Sequence, residues 1–362
     1  MKSIITFGEI MGRLTPPGFL RLGQGLPGTL EVTFAGAEAN VAASLAFLGA
    51  DAKFVTALPH NDLADACIAS LQSTGMASHL VRTDYGRLGL YFLEKGANQR
   101  PSRVIYDRDH SAISLTDPQV YDWEEIFSGG QWFHVTGITP AISKSAAEAT
   151  IDAVRAAKQA GLTVSCDLNF RAKLWNWEPD TSKRDLAKRV MSEVLMSVDV
   201  LIANEEDCGD VLGIHGKDSD VHSGKLDVSN YPEVAKQVVS QFPGIGIVAT
   251  TLRQSLSASH NNWGAMLYAA KSDTAIFAPR QKNEYAPYEI RNIVDRVGGG
   301  DSFAAGLIYA LTNDDYASLQ ETLDFAVAAS CLAHSIEGDF NYSSRAEVDA
   351  LAGGSGSGRV VR

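Results

Sequence analysis

The sequence predicts an α/β fold: a three-layer sandwich with a mostly parallel central sheet between helices, and a small β-strand lid. Three observations predict it. From residue 131 onward, strand-length apolar runs at 131–136, 162–167, 198–203 and 246–250 alternate with helical segments such as 143–161 and 183–196. That rhythm is the one of parallel strands joined by crossover helices. Two stretches, about 9–36 and 86–110, break it with short alternating segments such as 88–94 and 103–108, which suit a lid rather than a core. Finally, three consecutive glycines, Gly298, Gly299 and Gly300, run into Asp301 and a small-residue apolar helix over 302–311.

Taken in chain order, residues 4–8 form a short strand, and 38–48 a helix with apolar and small residues on one face. The first lid segment lies between them, the second lies within 86–110, and the alternating core follows. A single domain over 1–352 results, with 353–362 as a Gly/Ser-containing flexible tail. Gly23 to Gly28 has the glycine spacing of a dinucleotide-binding turn, but no strand precedes it and 29–34 reads as extended, so the match carries no weight. No Gly-Lys-Ser/Thr phosphate loop, His-x-x-x-His pair or Gly-x-Ser-x-Gly elbow is present.

Composition bounds the function. At 362 residues and 45% hydrophobic content the chain buries a large core, and a net charge of −12 without a basic run argues against nucleic acid as the main partner. Cys67, Cys166, Cys208 and Cys331 have no paired spacing, so free thiols in a reducing, cytoplasmic setting are expected. Glu9 comes too early for a secretory leader and no apolar run has membrane length, so no membrane partner is expected.

The chemistry concentrates at Gly298 to Asp301. A glycine turn at a helix start offers free backbone N–H groups to an anion. A carboxylate in the same first turn repels a phosphate unless it has a task, and accepting the proton of an attacking alcohol is one; capping the helix is the other. Asp301 at a helix N-terminus is expected to have a lowered proton affinity. Two further polar clusters follow strands, where ligands bind in such sheets. Asn204, Glu205, Glu206 and Asp207 follow 198–203 and read equally as a metal-organising cluster or as a helix cap with acidic first-turn residues. Asp167 to Arg171 follow 162–167, and Arg171 there can reach an anion.

Residues 295–303, Asp-Arg-Val-Gly-Gly-Gly-Asp-Ser-Phe, resemble the second signature of the ribokinase-like (PfkB) sugar kinases, Asp-Thr-x-Gly-Ala-Gly-Asp-x-Phe, with Arg296 and Gly299 as departures read as peripheral to the chemistry. Residues 35–42, Ala-Gly-Ala-Glu-Ala-Asn-Val-Ala, are similar to the first signature, Gly-Gly-x-x-x-Asn-x-Ala, with Ala35 in place of the first glycine. The resemblance spans nearly the whole chain and implies a ribokinase-like fold and ATP-dependent phosphorylation, with Asp301 as base and Gly298, Gly299 and Gly300 as its anion site.

Among such kinases the chain looks most like those acting on 2-keto-3-deoxygluconate, a sugar acid. This implies a substrate pocket of Gly36, Asn40, Tyr91, Tyr106, Arg108, Ile138 and Arg171, in which two arginines suit a carboxylate and two tyrosines a polyol. The other reading gives one arginine to the γ-phosphate and the other to the surface. Asn204 and Asp207, with Asp where the family has Glu, are implied to organise Mg2+, and Thr251 to face the nucleotide. ATP is the implied donor, with ADP or another triphosphate as alternatives. Asp295, Val297 and 336–341 correspond to a monovalent-cation site in some relatives. The alternatives in function are a kinase for fructose or ribose and a non-catalytic sugar-binding regulator. Exposed lid strands suit a homo-oligomer joined through the lid.

Overall fold

The computed structural model describes residues 2–204, 206–215 and 228–356; Glu205 and the end of the expected tail, 357–362, lie outside them. Thirteen strands position the site: β1 Ser3–Phe7, β2 Met11–Thr15, β3 Glu31–Ala35, β4 Ala52–Pro59, β5 Ala77–Thr83, β6 Gly89–Glu94, β7 Arg103–Asp107, β8 Gly130–Thr136, β9 Thr163–Asp167, β10 Val200–Ala203, β11 Ile247–Ser257, β12 His260–Ala269 and β13 Thr274–Ala278. The large sheet runs β13-β12-β11-β10-β9-β8-β1-β4-β5, parallel from β11 to β5.

Both faces of this sheet are covered, which is why its strands read as near-continuous apolar runs. The pleat divides neighbours between two cores: Ile5 and Leu201 pack with Val190 and Met191 of the helix Lys183–Leu195, whereas Ile4 and Ile202 pack with Leu45, Phe303 and Phe325 of the helices Ala37–Phe47, Gly299–Leu311 and Leu319–Ala333. From β1 the chain builds outward through β4 and β5, then returns to β8 on the other flank. The strand order therefore reverses between β1 and β8, the place where open α/β sheets leave a crevice at their carboxyl ends.

The lid is a separate four-stranded sheet, β3-β2-β6-β7, formed by the two expected segments. Two features differ from the sequence reading. The run at 246–250 is the start of an eleven-residue strand that folds back as β12, so the polar stretch after it is a hairpin and the sheet ends in antiparallel strands. The helix after the glycines begins at Gly299 rather than 302, with Gly298 at its N-cap.

Candidate active site

A cleft of about 400 Å³ lies over the carboxyl ends of the parallel strands and under the lid, lined by Asp301, the three glycines, Asn204, Asp207, Thr251 and the whole expected substrate pocket, but not by Asp295 or Glu206. Its floor is the start of the helix Gly299–Leu311. Gly298 has φ +82, and a Cβ there would stand 2.3 Å from the Asp339 carbonyl oxygen, so glycine is demanded by both backbone and space. The first intrahelical bond runs from the Ser302 N–H to the Gly298 oxygen at 2.8 Å. The N–H groups of Gly299, Gly300 and Asp301 precede it and have no intrahelical acceptor. The anion-facing amides are therefore those of Gly299, Gly300 and Asp301, while Gly298 supplies the turn. A Cβ on Gly300 would meet nothing within 4 Å.

Asp301 Oδ2 accepts a hydrogen bond from Asn40 Nδ2 at 2.6 Å, and Asn40 Oδ1 accepts the Gly36 N–H at 3.2 Å. Gly36 is required by a close approach of chains, since a Cβ would stand 1.9 Å from the Glu9 oxygen. The substitution of Ala35 leaves that approach intact, because Ala35 is the buried residue paired with Met11 at the end of β3. Burial pushes the Asp301 carboxyl up to about 6; Asn40's donor opposes this, Asp339's charge adds to it and Arg171 opposes it. The expected lowering is thus overturned: withdrawal from water outweighs the helix N-terminus.

At the lid end, Arg108 and Arg171 arrive at the same cleft, with Tyr106 and Ile138 beside them. Arg108 is buried and paired with Glu9, and its guanidinium lies 5.5 Å from the Tyr106 ring centroid. It is therefore already neutralised, which the sequence did not show. Arg171 is half-buried and, among the described residues, donates only to the Phe170 oxygen at 3.2 Å. Tyr91 donates its hydroxyl to Asp339 Oδ2 at 2.7 Å. Arg13 from β2 pairs with both Asp295 and Asp339, all three buried. A guanidinium thus joins two carboxylates from the segments where the resemblance implies a monovalent cation.

After β10, Asn204 Oδ1 accepts the N–H groups of Glu206 and Asp207 at 2.8 and 3.0 Å, the capping role. Asp207 is buried; Oδ1 accepts the Phe170 N–H at 3.2 Å and Oδ2 that of Asn204 at 3.0 Å, tying the loops after β9 and β10 together. Burial raises the Asp207 pKa, and raises that of Asp167 further, where the charges of Asp207 and Asp301 add to it. Among the described residues no group of three or more His, Cys, Asp or Glu forms a ready-made metal cage. Thr251 is buried in β11, its hydroxyl 3.5 Å from the Ala203 oxygen.

Sequence reasoning gave no role to Glu9, Arg253 or Trp263 in the cleft, and Arg296, read as peripheral, lines it too; Asp167 and Asp339 lie in segments it had singled out. Glu9 and Arg253 both follow apolar strand residues near carboxyl ends, the same signal that singled out Arg171. Trp263 had none, because it reaches the cleft through the β11–β12 hairpin, where it sits opposite Arg253.

Residues 1–252 and 265–343 match the family model described as pfkB family carbohydrate kinase. The chain is 29% identical over 355 residues to the 2-dehydro-3-deoxygalactonokinase of Haloferax volcanii, covering 98% of each. It is 27% identical to the 2-dehydro-3-deoxygluconokinase of Thermoproteus tenax, covering 94% of this chain and 90% of that one. The crystal structure of the 2-dehydro-3-deoxygluconokinase of Thermotoga maritima superposes with a TM-score of 0.87 at 44% identity, covering 98% of this chain and all of that one.

Proposed function

The chain belongs to the pfkB family of carbohydrate kinases, and on that premise we propose that it transfers the γ-phosphoryl group of ATP to the primary hydroxyl of 2-keto-3-deoxygluconate, giving the 6-phosphate. The observation that carries this reading is Asp301, a carboxylate with a raised pKa in the same helix turn as three open amides, in a cleft whose other end offers arginine.

In this reading the sugar hydroxyl donates its proton to Asp301, held toward the cleft by Asn40. The amides of Gly299, Gly300 and Asp301 receive the oxygens of the transferred phosphoryl group, where charge gathers as the bond to the donor breaks. Arg171 takes the substrate carboxylate. Arg108, fixed by Glu9, presents its remaining N–H groups beside it, and Tyr106 forms an amphipathic wall for the polyol. Kinases of this family use ATP with Mg2+. The donor set fits a hard cation, because Asp167, Asp207 and Asn204 offer only oxygen, and Mg2+ commonly keeps waters and phosphates as its other ligands. Asp207 and Asn204 would hold the cation from the protein side, and it would supply neutralisation of charge on the phosphates.

The galactonate analogue is the second reading, favoured by the Haloferax relative, which matches over the full length of both chains. We further infer a homo-oligomer formed through the lid. Val32, Leu14, Phe92 and Ile105 lie in register across β3, β2, β6 and β7, on the opposite face from Arg13 and Tyr91, and Val32 and Ile105 are exposed. The test of function is a nucleotide-consumption screen over both sugar acids, fructose and ribose. A higher kcat/KM for a neutral sugar than for either acid rejects the sugar-acid reading.

A further inference from the structure

Arg296 occupies the position where the resembling signature has threonine, and the cleft gives it a setting a threonine could not use. Its guanidinium donates through Nη2 to Asn261 Oδ1 at 3.0 Å and to the Ser257 oxygen at 3.3 Å, both neutral acceptors on the β11–β12 hairpin. Its Nε is buried with no acceptor, and Arg296 forms no ion pair among the described residues. The carboxylate next to it in sequence, Asp295, is committed elsewhere: it pairs with Arg13, and its Oδ1 accepts the backbone N–H groups of Arg296 and Val297.

Arg253 on the same hairpin lines the cleft beside Arg296, close enough for its charge to lower the Arg296 pKa in addition to the larger effect of burial. Trp263, opposite Arg253, is 5% exposed, and its indole N–H has no acceptor. Two guanidinium groups and an indole N–H without an acceptor thus line the cleft with the start of the helix Gly299–Leu311; the Asp301 carboxylate stands in that helix's first turn, and Glu9, Asp167, Asp207 and Asp339 line the cleft as well. Guanidinium groups beside open backbone N–H groups suit a group of high negative charge.

We infer that Arg296 and Arg253 bind the polyphosphate tail of the phosphoryl donor, so that the β11–β12 hairpin takes part in phosphate recognition. The inference rests on the kinase reading for its donor, but the contact is between guanidinium and phosphate and does not depend on which sugar is used. It also accounts for the arginine in the signature. Its planar fork, anchored at Nη2, still presents donors to oxygen, and a second guanidinium beside it favours an anion of more than one charge.

The test is calorimetric titration of inorganic tripolyphosphate and, separately, of adenosine into the wild-type protein, Arg296→Thr, Arg253→Ala and Arg296→Lys. Tripolyphosphate affinity is expected to fall by roughly ten- to a hundredfold in the first two variants, the worth of a charge-assisted hydrogen bond, and by less in Arg296→Lys. Adenosine affinity stays within about twofold, because the hairpin backbone is unchanged. The inference is overturned if the wild-type protein does not bind tripolyphosphate, if neither Arg296→Thr nor Arg253→Ala weakens it, or if adenosine weakens in parallel. Failure of the kinase reading registers separately, as absence of sugar-dependent ATP consumption by the wild-type enzyme.

Discussion

Asn40 donates its side-chain N–H to Asp301 at 2.6 Å, joining the first turns of two helices 261 residues apart in sequence. The same Asn40 accepts the Gly36 N–H, so the candidate base is held by a residue itself fixed where β3 of the lid runs into the helix Ala37–Phe47. Asp301 is therefore aimed before any ligand arrives.

Replacing Asp301 with Asn keeps volume and removes basicity. We expect kcat to fall on the order of 10²- to 10⁴-fold, with both ligands bound within a few fold of wild type. Steady-state kinetics alongside ligand titrations check this; a kcat within tenfold of wild type removes Asp301 from the base role.

The pH profile follows from the Asp301 carboxyl at about 6. The ionised form is the base, so kcat/KM rises with pH through about 6 and levels above it. Asn40 favours the ionised form; Asn40→Ala withdraws that donor, and the limb moves to higher pH. Glu38, pushed up to about 7 by burial, titrates nearby, and Glu38→Gln separates the two: a limb that survives it belongs to Asp301. A limb unmoved by Asn40→Ala contradicts the assignment.

The glycines are not equivalent. Gly298→Ala forces a left-handed residue, at roughly 1–2 kcal/mol, and drives a Cβ into the Asp339 carbonyl. Gly300→Ala has open space. Thermal melts should show a large loss for the first and little for the second, while Gly300→Ala raises the nucleotide KM by crowding the anion site. Equal melting temperatures for the two would refute the steric argument.

The arginines should separate as well. Arg171→Ala is expected to raise KM for the sugar acid by roughly ten- to a hundredfold with little change for nucleotide. Arg108→Ala does the same and also strands buried Glu9, at about 3–5 kcal/mol of stability. The double change Arg108→Met with Glu9→Gln restores stability without restoring affinity for the acid. Equal weakening of sugar acid and ATP in both single variants would assign these arginines to the phosphates.

Excess chelator should abolish turnover, and Mg2+ or Mn2+ should restore it, with Asp207→Ala raising the metal concentration for half activity. Because Asp207 also bridges the loops after β9 and β10, its loss lowers the melting temperature. Full activity in chelator would exclude a metal role.

The fold was legible because the parallel strands are apolar on both faces and the lid strands are not. The places of Asp301, Asn40, Arg108 and Arg171 in one cleft were legible from polar residues at strand ends and from the signatures. What stayed hidden has one physical cause: pairings between distant segments have no local pattern. Glu9 neutralising Arg108 spans 99 residues and Arg13 bridging to Asp339 spans 326. The Asp301 shift was misjudged for the same reason, since the helix start is read locally and burial is not. The β11–β12 hairpin was lost because its strand beyond residue 250 is polar, as suits an extension that leaves the core.

Arg13 ties the lid to the Gly298 turn. Its guanidinium comes from β2, but the two carboxylates it satisfies belong to the segments holding the Gly298 turn. A lid grafted from a relative lacking this arginine would leave Asp295 and Asp339 as uncompensated charges beneath the catalytic turn. Lid and turn are therefore coupled through one residue, and any change to the lid that spares Arg13 leaves the carboxylates beside the turn paired.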